Sequence, residues 1–258
     1  MLLRRITQHV KDQNWFAVFI DLVIVVVGVF IGIQVANWNE ARNEEARQAE
    51  VLASILDDLR ADHEILKNGL DMAAINIHTT NHLFKIAGLE QLNEVALPSA
   101  SEVLSLSVVT APDSPPLTAA DKSEIWKRIT IHYYPEQSDA ALGALIAAGD
   151  LGLIKNQILV RNLQRYKLLW GTLENSNDNT FRSFRNQVVF IGQELGLSPF
   201  VKISESELAK LLSENQNLVG AVRTLQEFTF LHHRQIENLY EQNLTLTQQI
   251  EESLARKG

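Results

Sequence analysis

The chain has 258 residues, enough for one soluble domain of about 100–200 residues together with a membrane anchor. Hydrophobic residues make up 46% of it, which predicts a packed core, and the lack of cysteine excludes disulfides, thiolate metal sites and cysteine nucleophiles. The net charge of −8 argues against a general nucleic-acid-binding protein, because such proteins normally carry a basic face.

An apolar stretch near the N-terminus, from Trp15 to Ala36, is interrupted only by Asp21 and Gln34. At about 1.5 Å per residue, a helix of this length reaches about 33 Å, which matches a hydrocarbon core of about 30 Å. We therefore predict a transmembrane helix over residues 15–37. The aromatic residues at its two ends are predicted interface anchors, Trp15 and Trp38.

A cleaved signal peptide is the alternative to a retained anchor. It fits less well, because the apolar stretch is longer than a signal-peptide core and its end is a poor cleavage site. The basic residues Arg4, Arg5 and Lys11 precede the span, so we predict that residues 1–14 form a cytoplasmic tail. Residues 38–258 then form an extracytoplasmic helical domain, which in a bacterium is periplasmic and tethered to the inner membrane.

One stripe of the predicted span combines a carboxyl group with two glycines. At about 100° per residue, Gly28 and Gly32 lie about 20° to either side of the line through Asp21 and Asn39. The spacing Gly-x-x-x-Gly allows two helix backbones to approach closely in lipid, and a carboxylate within a span normally faces a partner or water. This predicts a helix–helix contact. The alternative is that Asp21 is hydrated near the headgroups and the glycines are incidental.

After the span, apolar residues recur at helical spacing with charges between them, beginning at Leu52. One helix is predicted to continue from the membrane as a stalk to about Ala87. The proline-rich region 88–137 predicts short helices at Ser101–Val109 and Ala119–His132.

Start and stop signals predict the remaining helices. They are Asp139–Ala148, ended by Gly149; a long helix capped by Asn156 and reaching towards Leu195; a helix after the Ser204–Glu207 capping box; and a last helix from about Gln216. Since nothing alternates convincingly as strands, the fold class is all-α. An N-terminal transmembrane helix continues into a long stalk helix, followed by an irregular helical bundle.

Sequence motifs for nucleotide binding, serine hydrolases and zinc proteases are all missing, and we predict no catalytic, cofactor-binding or metal-binding residues. His78 and His82 stand four residues apart, a spacing that suits two metal ligands, but no carboxylate accompanies them and a polar helix face is favoured. Five aromatic residues suit either a ligand pocket or, as we favour, the helical core: Trp126, Tyr133, Tyr134, Tyr166 and Trp170.

Two stretches of the chain carry distinctive patterns. The first is the acidic residue at Asp21, the mid-span Gly28 and "IGIQVANWNE" at Ile31–Glu40, and the second is "AAGDLGLIKNQILVRNLQRY" at Ala147–Tyr166. In both, the chain resembles a family of uncharacterised bacterial single-span membrane proteins, although that family more commonly has glutamate at the position of Asp21 and serine at that of Ala148. The resemblance implies an anchored, exported helical domain and supplies no established activity.

These features predict a non-enzymatic, membrane-tethered interaction or scaffold protein. Its partners would be the lipid bilayer and either a second copy of the chain or another membrane protein, with the chain as an accessory subunit. The alternative is a periplasmic ligand-binding or sensory domain, which would need a partner for output because the predicted tail is too short for an output domain. A third possibility is an enzyme whose site is assembled only in three dimensions.

Overall fold

The computed structural model describes residues 15–98 and 106–256. The chain divides into two compact units, one ending at Val51 and the other beginning at Leu52. The predicted cytoplasmic tail, residues 1–14, lies outside the described residues, as do the side chains of Trp15 and Asp21.

A single helix, α1, runs from Trp15 to Ile86. This confirms the prediction that the apolar segment continues without a break into a stalk helix ending near Ala87. The helix is long and apolar enough to cross a membrane, with a mean hydropathy of 1.9 in its apolar window near the N-terminus. None of that window is buried within the described chain.

The second unit is mainly helical, as predicted. After α1 come α2 (Ala119–Ser123), α3 (Ile125–Thr130), α4 (Ala140–Ala147), a 3-10 turn (Asp150–Leu153), α5 (Gln157–Ser176), a π-helical segment (Asn177–Phe181), α6 (Arg182–Glu194), α7 (Glu205–Glu214) and α8 (Gln216–Ala255). Helix α8 packs against α5, α6, α7 and the π-helical segment, so it is the central helix of the bundle.

Most of the predicted helix ends are confirmed. The Asn156 side chain accepts hydrogen bonds from the backbone N–H groups of Ile158 and Leu159, and Ser204 forms the predicted capping box with Glu207. Helix α4 is followed by Gly149, whose φ of 72° is a left-handed conformation that favours glycine. These ends were predictable because each depends on chemistry within a few residues of the chain.

The proline-rich region differs from the prediction. Strand β1 (Glu94–Pro98) pairs antiparallel with β2 (Leu106–Thr110), with Val95 opposite Val109. The helix predicted at Ser101–Val109 is therefore wrong from Leu106 onward, and residues 101–105 lie outside the described part. The reason is local: β2 contains Val108, Val109 and Thr110, whose β-branched side chains favour extended backbone.

The helix predicted at Ala119–His132 is also divided. Glu124, with φ −120° and ψ 27°, leaves the helical conformation between α2 and α3. Helix α2 has no buried residue, whereas α3 buries Ile125, Trp126 and Ile129. The break therefore separates an exposed helix from one that belongs to the core.

The core of the second unit contains an unusually close helix contact. A methyl group at Gly192 would lie 2.3 Å from Cζ2 of Trp126, so only glycine lets α6 approach the indole of α3. The surrounding buried residues come from α1, α3, α6, α7 and α8, and include Leu83, Phe84, Val188, Leu208 and Val222.

Candidate functional site

The apolar surface of α1 is the first candidate site. Every large apolar side chain from Phe19 to Trp38 is between 39% and 65% exposed. A methyl group added at Gly28 or Gly32 would meet nothing within 4 Å, and Asn39 is exposed as well. The described chain thus leaves this predicted contact face uncovered.

Trp38, one of the two predicted interface anchors, is 65% exposed. The guanidinium carbon of Arg42, one helical turn further on, lies 5.7 Å from the centre of its ring, at the outer range of a cation–π contact. An exposed tryptophan beside an arginine suits the boundary between lipid and water, where an amphipathic ring and a positive charge are both accommodated.

The second candidate is a polar cavity of about 450 Å³ in the Leu52–Gly258 unit. Its walls are the last turns of α1, residues 91–93, residues 111–117 and α2. The polar side chains that line it are His78, Asn81, His82, Lys85, Gln91, Asn93, Ser114 and Lys122. Both histidines considered as metal ligands therefore lie in one cavity.

Hydrogen bonds to the backbone hold the cavity walls in place. The side chain of Asn81 donates to the carbonyl of Leu92 and accepts from its N–H, at 2.9 Å in each case. On the other wall, the ring nitrogen Nε2 of His78 lies 2.7 Å from the carbonyl oxygen of Pro112, to which it donates. The loop after α1 and the proline-rich segment are thus both fastened to the helix.

His82 is held differently from His78. Its Nε2 lies 2.9 Å from a carboxylate oxygen of Glu205 on α7. Among the described residues no three His, Cys, Asp or Glu side chains are grouped closely enough to hold a metal ion. The two histidines therefore make protein contacts that fasten α1 to its neighbours.

A buried carboxyl group joins three long helices. Asp62 on α1 is 1% exposed; it accepts hydrogen bonds from the N–H of Ser138 at 2.6 Å and from the hydroxyl of Tyr166 on α5 at 2.9 Å. The Asn243 amide on α8 donates to the same hydroxyl at 3.1 Å and to the carbonyl of Leu59 at 2.8 Å. Burial raises the pKa of Asp62 to about 6, against the two hydrogen bonds, which lower it.

A cluster of aromatic rings forms around the π-helical segment. Phe181 stacks on His232 and meets His132 edge to face, with ring centres 4.8 Å apart in both cases. Burial lowers the pKa of His132 to about 3, and repulsion from Arg185 and from the protonated form of His232 lowers it further. Burial also lowers the pKa of His232 to about 4. Both rings are therefore neutral packing groups at pH 7.

The aromatic residues considered for a ligand pocket are divided between these regions. Trp126, Tyr166 and Trp170 are 0–1% exposed, which confirms the core interpretation for them. Tyr134 packs edge to face on Phe181 and lies under the guanidinium of Arg182, 4.8 Å from its ring centre. The structure does not gather the five aromatic residues into one pocket.

Sequence reasoning missed most of the cavity. Lys85 and Lys122 are 37 positions apart, and Ser114 belongs to a proline-rich stretch without helical periodicity. The helical spacing of His78 and His82 was the only local signal. The contribution of residues 111–117 depends on how that segment returns over α1, which no local pattern predicts.

Comparison with known proteins gives one match. Residues 21–96 match a family model described as a family of unknown function (DUF6090). The matched region begins at Asp21, includes the Ile31–Glu40 stretch and ends within β1. No curated protein and no solved structure matches the chain. Over its N-terminal third, the chain is similar to a family whose function is unknown.

Proposed function

We propose that this chain is a membrane-anchored, non-enzymatic interaction protein that self-associates through the Gly28/Gly32 face of α1. In this proposal α1 crosses a bacterial inner membrane once over residues 15–37. The tail of residues 1–14 is cytoplasmic, and the helical domain lies in the periplasm. The single observation that carries the proposal is the uncovered apolar surface from Phe19 to Trp38.

The uncovered surface favours lipid as its surroundings. Removing apolar area from water is favourable by about 25 cal/mol per Å², and a bilayer removes the whole circumference of a helix at once. An isolated helix also keeps every backbone hydrogen bond within itself, as the hydrocarbon region requires.

The glycine pair supports a second helix as the neighbour. No Cβ atom stands between the backbone of α1 at Gly28 or Gly32 and an approaching chain, and the described residues leave the space open. Van der Waals contact between closely approaching backbones is the main attraction between helices in lipid. A second copy places its own glycine pair opposite the first, so one surface serves both sides of a two-fold contact.

The direction of the span is supported by Arg4, Arg5 and Lys11, which precede it within a short tail. Basic residues beside a span are retained on the cytoplasmic side, and the first short segment usually decides the orientation.

Disulfide crosslinking tests the contact, since the chain contains no cysteine of its own. Val25 lies about 40° from the centre of the glycine face and Val26 about 140° from it, at nearly the same depth. We expect Val25→Cys to form a crosslinked dimer in native membranes treated with an oxidant, and Val26→Cys to form far less. Equal crosslinking of the two variants, or crosslinking of neither, would refute self-association through this face.

A further inference from the structure

We propose that the polar cavity at the end of α1 binds a small anion that also carries hydroxyl groups, with Lys85 and Lys122 holding its oxyanion. A sugar phosphate has this chemistry. The inference rests on the domain alone and does not depend on how α1 associates.

The charge of the cavity is the first argument. Lys85 and Lys122 are positively charged, and no carboxylate is found among the described residues that line the cavity. Two carboxylates near the cavity have partners of their own: Glu205 contacts His82, and Asp121 pairs with Arg128 at 2.8 Å. In the part of the chain that the structure describes, the side chain of neither lysine makes an ion pair or a hydrogen bond, so both ammonium groups are available to an anion.

The second argument is the neutral polar surface around the lysines. Gln91, Asn93 and Ser114 supply amide and hydroxyl groups that both donate and accept hydrogen bonds. The Nε2 atom of His78 donates to Pro112, so in the neutral ring Nδ1 is an acceptor. These groups can bind ligand hydroxyls. The apolar residues that line the rest of the cavity suit the carbon skeleton of such a ligand, and they are Ala111, Pro115, Pro116 and Leu117.

Hydrogen bonds between its walls also fix the shape of the cavity. Asn81 fixes the loop that carries Gln91 through its paired bonds with Leu92, and the N–H of Ala111 donates to the carbonyl of Asn93 at 2.7 Å. The volume of about 450 Å³ lies within the range of about 300–1,000 Å³ of small-molecule sites. Walls that need no rearrangement lower the entropic cost of binding.

Calorimetric titration of the full-length chain in mild detergent tests the inference, with ribose 5-phosphate, inorganic phosphate and ribose as probes. We expect saturable binding of ribose 5-phosphate, weaker binding of inorganic phosphate, and no binding of ribose. The variant Lys85→Gln/Lys122→Gln should weaken ribose 5-phosphate binding by about tenfold or more, equivalent to about 1.4 kcal/mol.

The matched control is Lys67→Gln/Lys202→Gln, which removes the same charge from two exposed lysines outside the cavity. It should bind ribose 5-phosphate as the unaltered chain does, and thermal unfolding of both variants checks that they fold. If ribose 5-phosphate does not bind saturably at millimolar concentration, or if the two double variants bind it equally, the inference is wrong. Equal affinity for inorganic phosphate and ribose 5-phosphate would overturn the role assigned to the hydroxyl-binding groups.

Discussion

Acidification should destabilise the helical domain through two histidines of the aromatic cluster, the half-buried His132 and the buried His232. His132 and His232 both contact Phe181, and their pKa values of about 3 and about 4 lie far below the ordinary value of 6.5. Below pH 6.5 the unfolded chain takes up a proton on each ring and the folded chain does not. The contribution of the two neutral rings to the free energy of unfolding is therefore complete above pH 6.5. It is lost as the pH falls towards the folded-state pKa values of about 4 for His232 and about 3 for His132.

The size of the effect follows from these values. Between pH 7 and pH 5 each histidine should lower the free energy of unfolding by about 2 kcal/mol. Asp62 works in the opposite direction, because its pKa of about 6 exceeds the ordinary 3.8 and its contribution is complete below pH 3.8 and lost as the pH rises through 6. It adds about 1 kcal/mol over the same interval, which leaves a net loss of about 2–3 kcal/mol.

Urea unfolding of the full-length chain in mild detergent measures this loss, with the buried Trp126 and Trp170 contributing to the fluorescence signal. The variant His132→Gln/His232→Gln removes these two titrating groups and should lose much less stability between pH 7 and pH 5 than the unaltered chain, with the remaining loss coming from His233, whose pKa burial also lowers. His63→Gln is the control, since it removes a ring contact with Tyr240 outside the cluster. If the double variant loses as much stability on acidification as the unaltered chain does, the assignment to these histidines is wrong.

Two further substitutions test the packing of the domain. Gly192→Ala should destabilise the domain by about 1–3 kcal/mol, because the new methyl group meets the Trp126 ring. The control Gly220→Ala on α8 meets nothing within 4 Å and should stabilise the domain by up to about 1 kcal/mol. Equal urea midpoints for the two variants would contradict the close contact. Tyr166→Phe should cost about 1–3 kcal/mol, since Asp62 and Asn243 both lose a hydrogen-bond partner. Because the Tyr166 hydroxyl favours the ionised form of Asp62, the loss in the free energy of unfolding should be larger at pH 8 than at pH 5. A loss that is the same at both pH values would show that this hydroxyl does not stabilise the ionised carboxyl group.

The helices were predictable wherever the signal is local. Helix α1 follows from apolar periodicity without proline, and the starts of α5 and α7 follow from the capping chemistry of Asn156 and Ser204. The π-helical segment was not predicted, because residues 177–181 continue the helical pattern of the sequence. The wider π-helical turn has no residue signal in this stretch that distinguishes it from an α-helix.

The β-branched residues of β2 were a local signal for extended backbone, but the pairing of the two strands and the cavity were beyond sequence reasoning for a common reason. Strand β1 gains its partner only because the chain returns through residues that lack periodicity, and the same return brings Ser114 and Lys122 to His78. Contacts between distant segments depend on tertiary packing, which the spacing of residues along one segment does not encode. That Gly28 and Gly32 lie on one side of α1 was predictable because both residues belong to one helix.

The proposed contact joins two copies of the chain through the glycine face of α1. The most direct test is to purify the full-length chain in mild detergent, measure its mass and identify every co-purifying chain. The same measurement is made on Gly28→Leu/Gly32→Leu and on Val23→Leu/Val26→Leu, a control whose substitutions lie off the glycine face. We expect a discrete multiple of 29.0 kDa for the unaltered chain and the control, and a monomer for the glycine variant. A monomeric unaltered chain, a glycine variant that still associates, or a different protein bound in fixed proportion would contradict the claim.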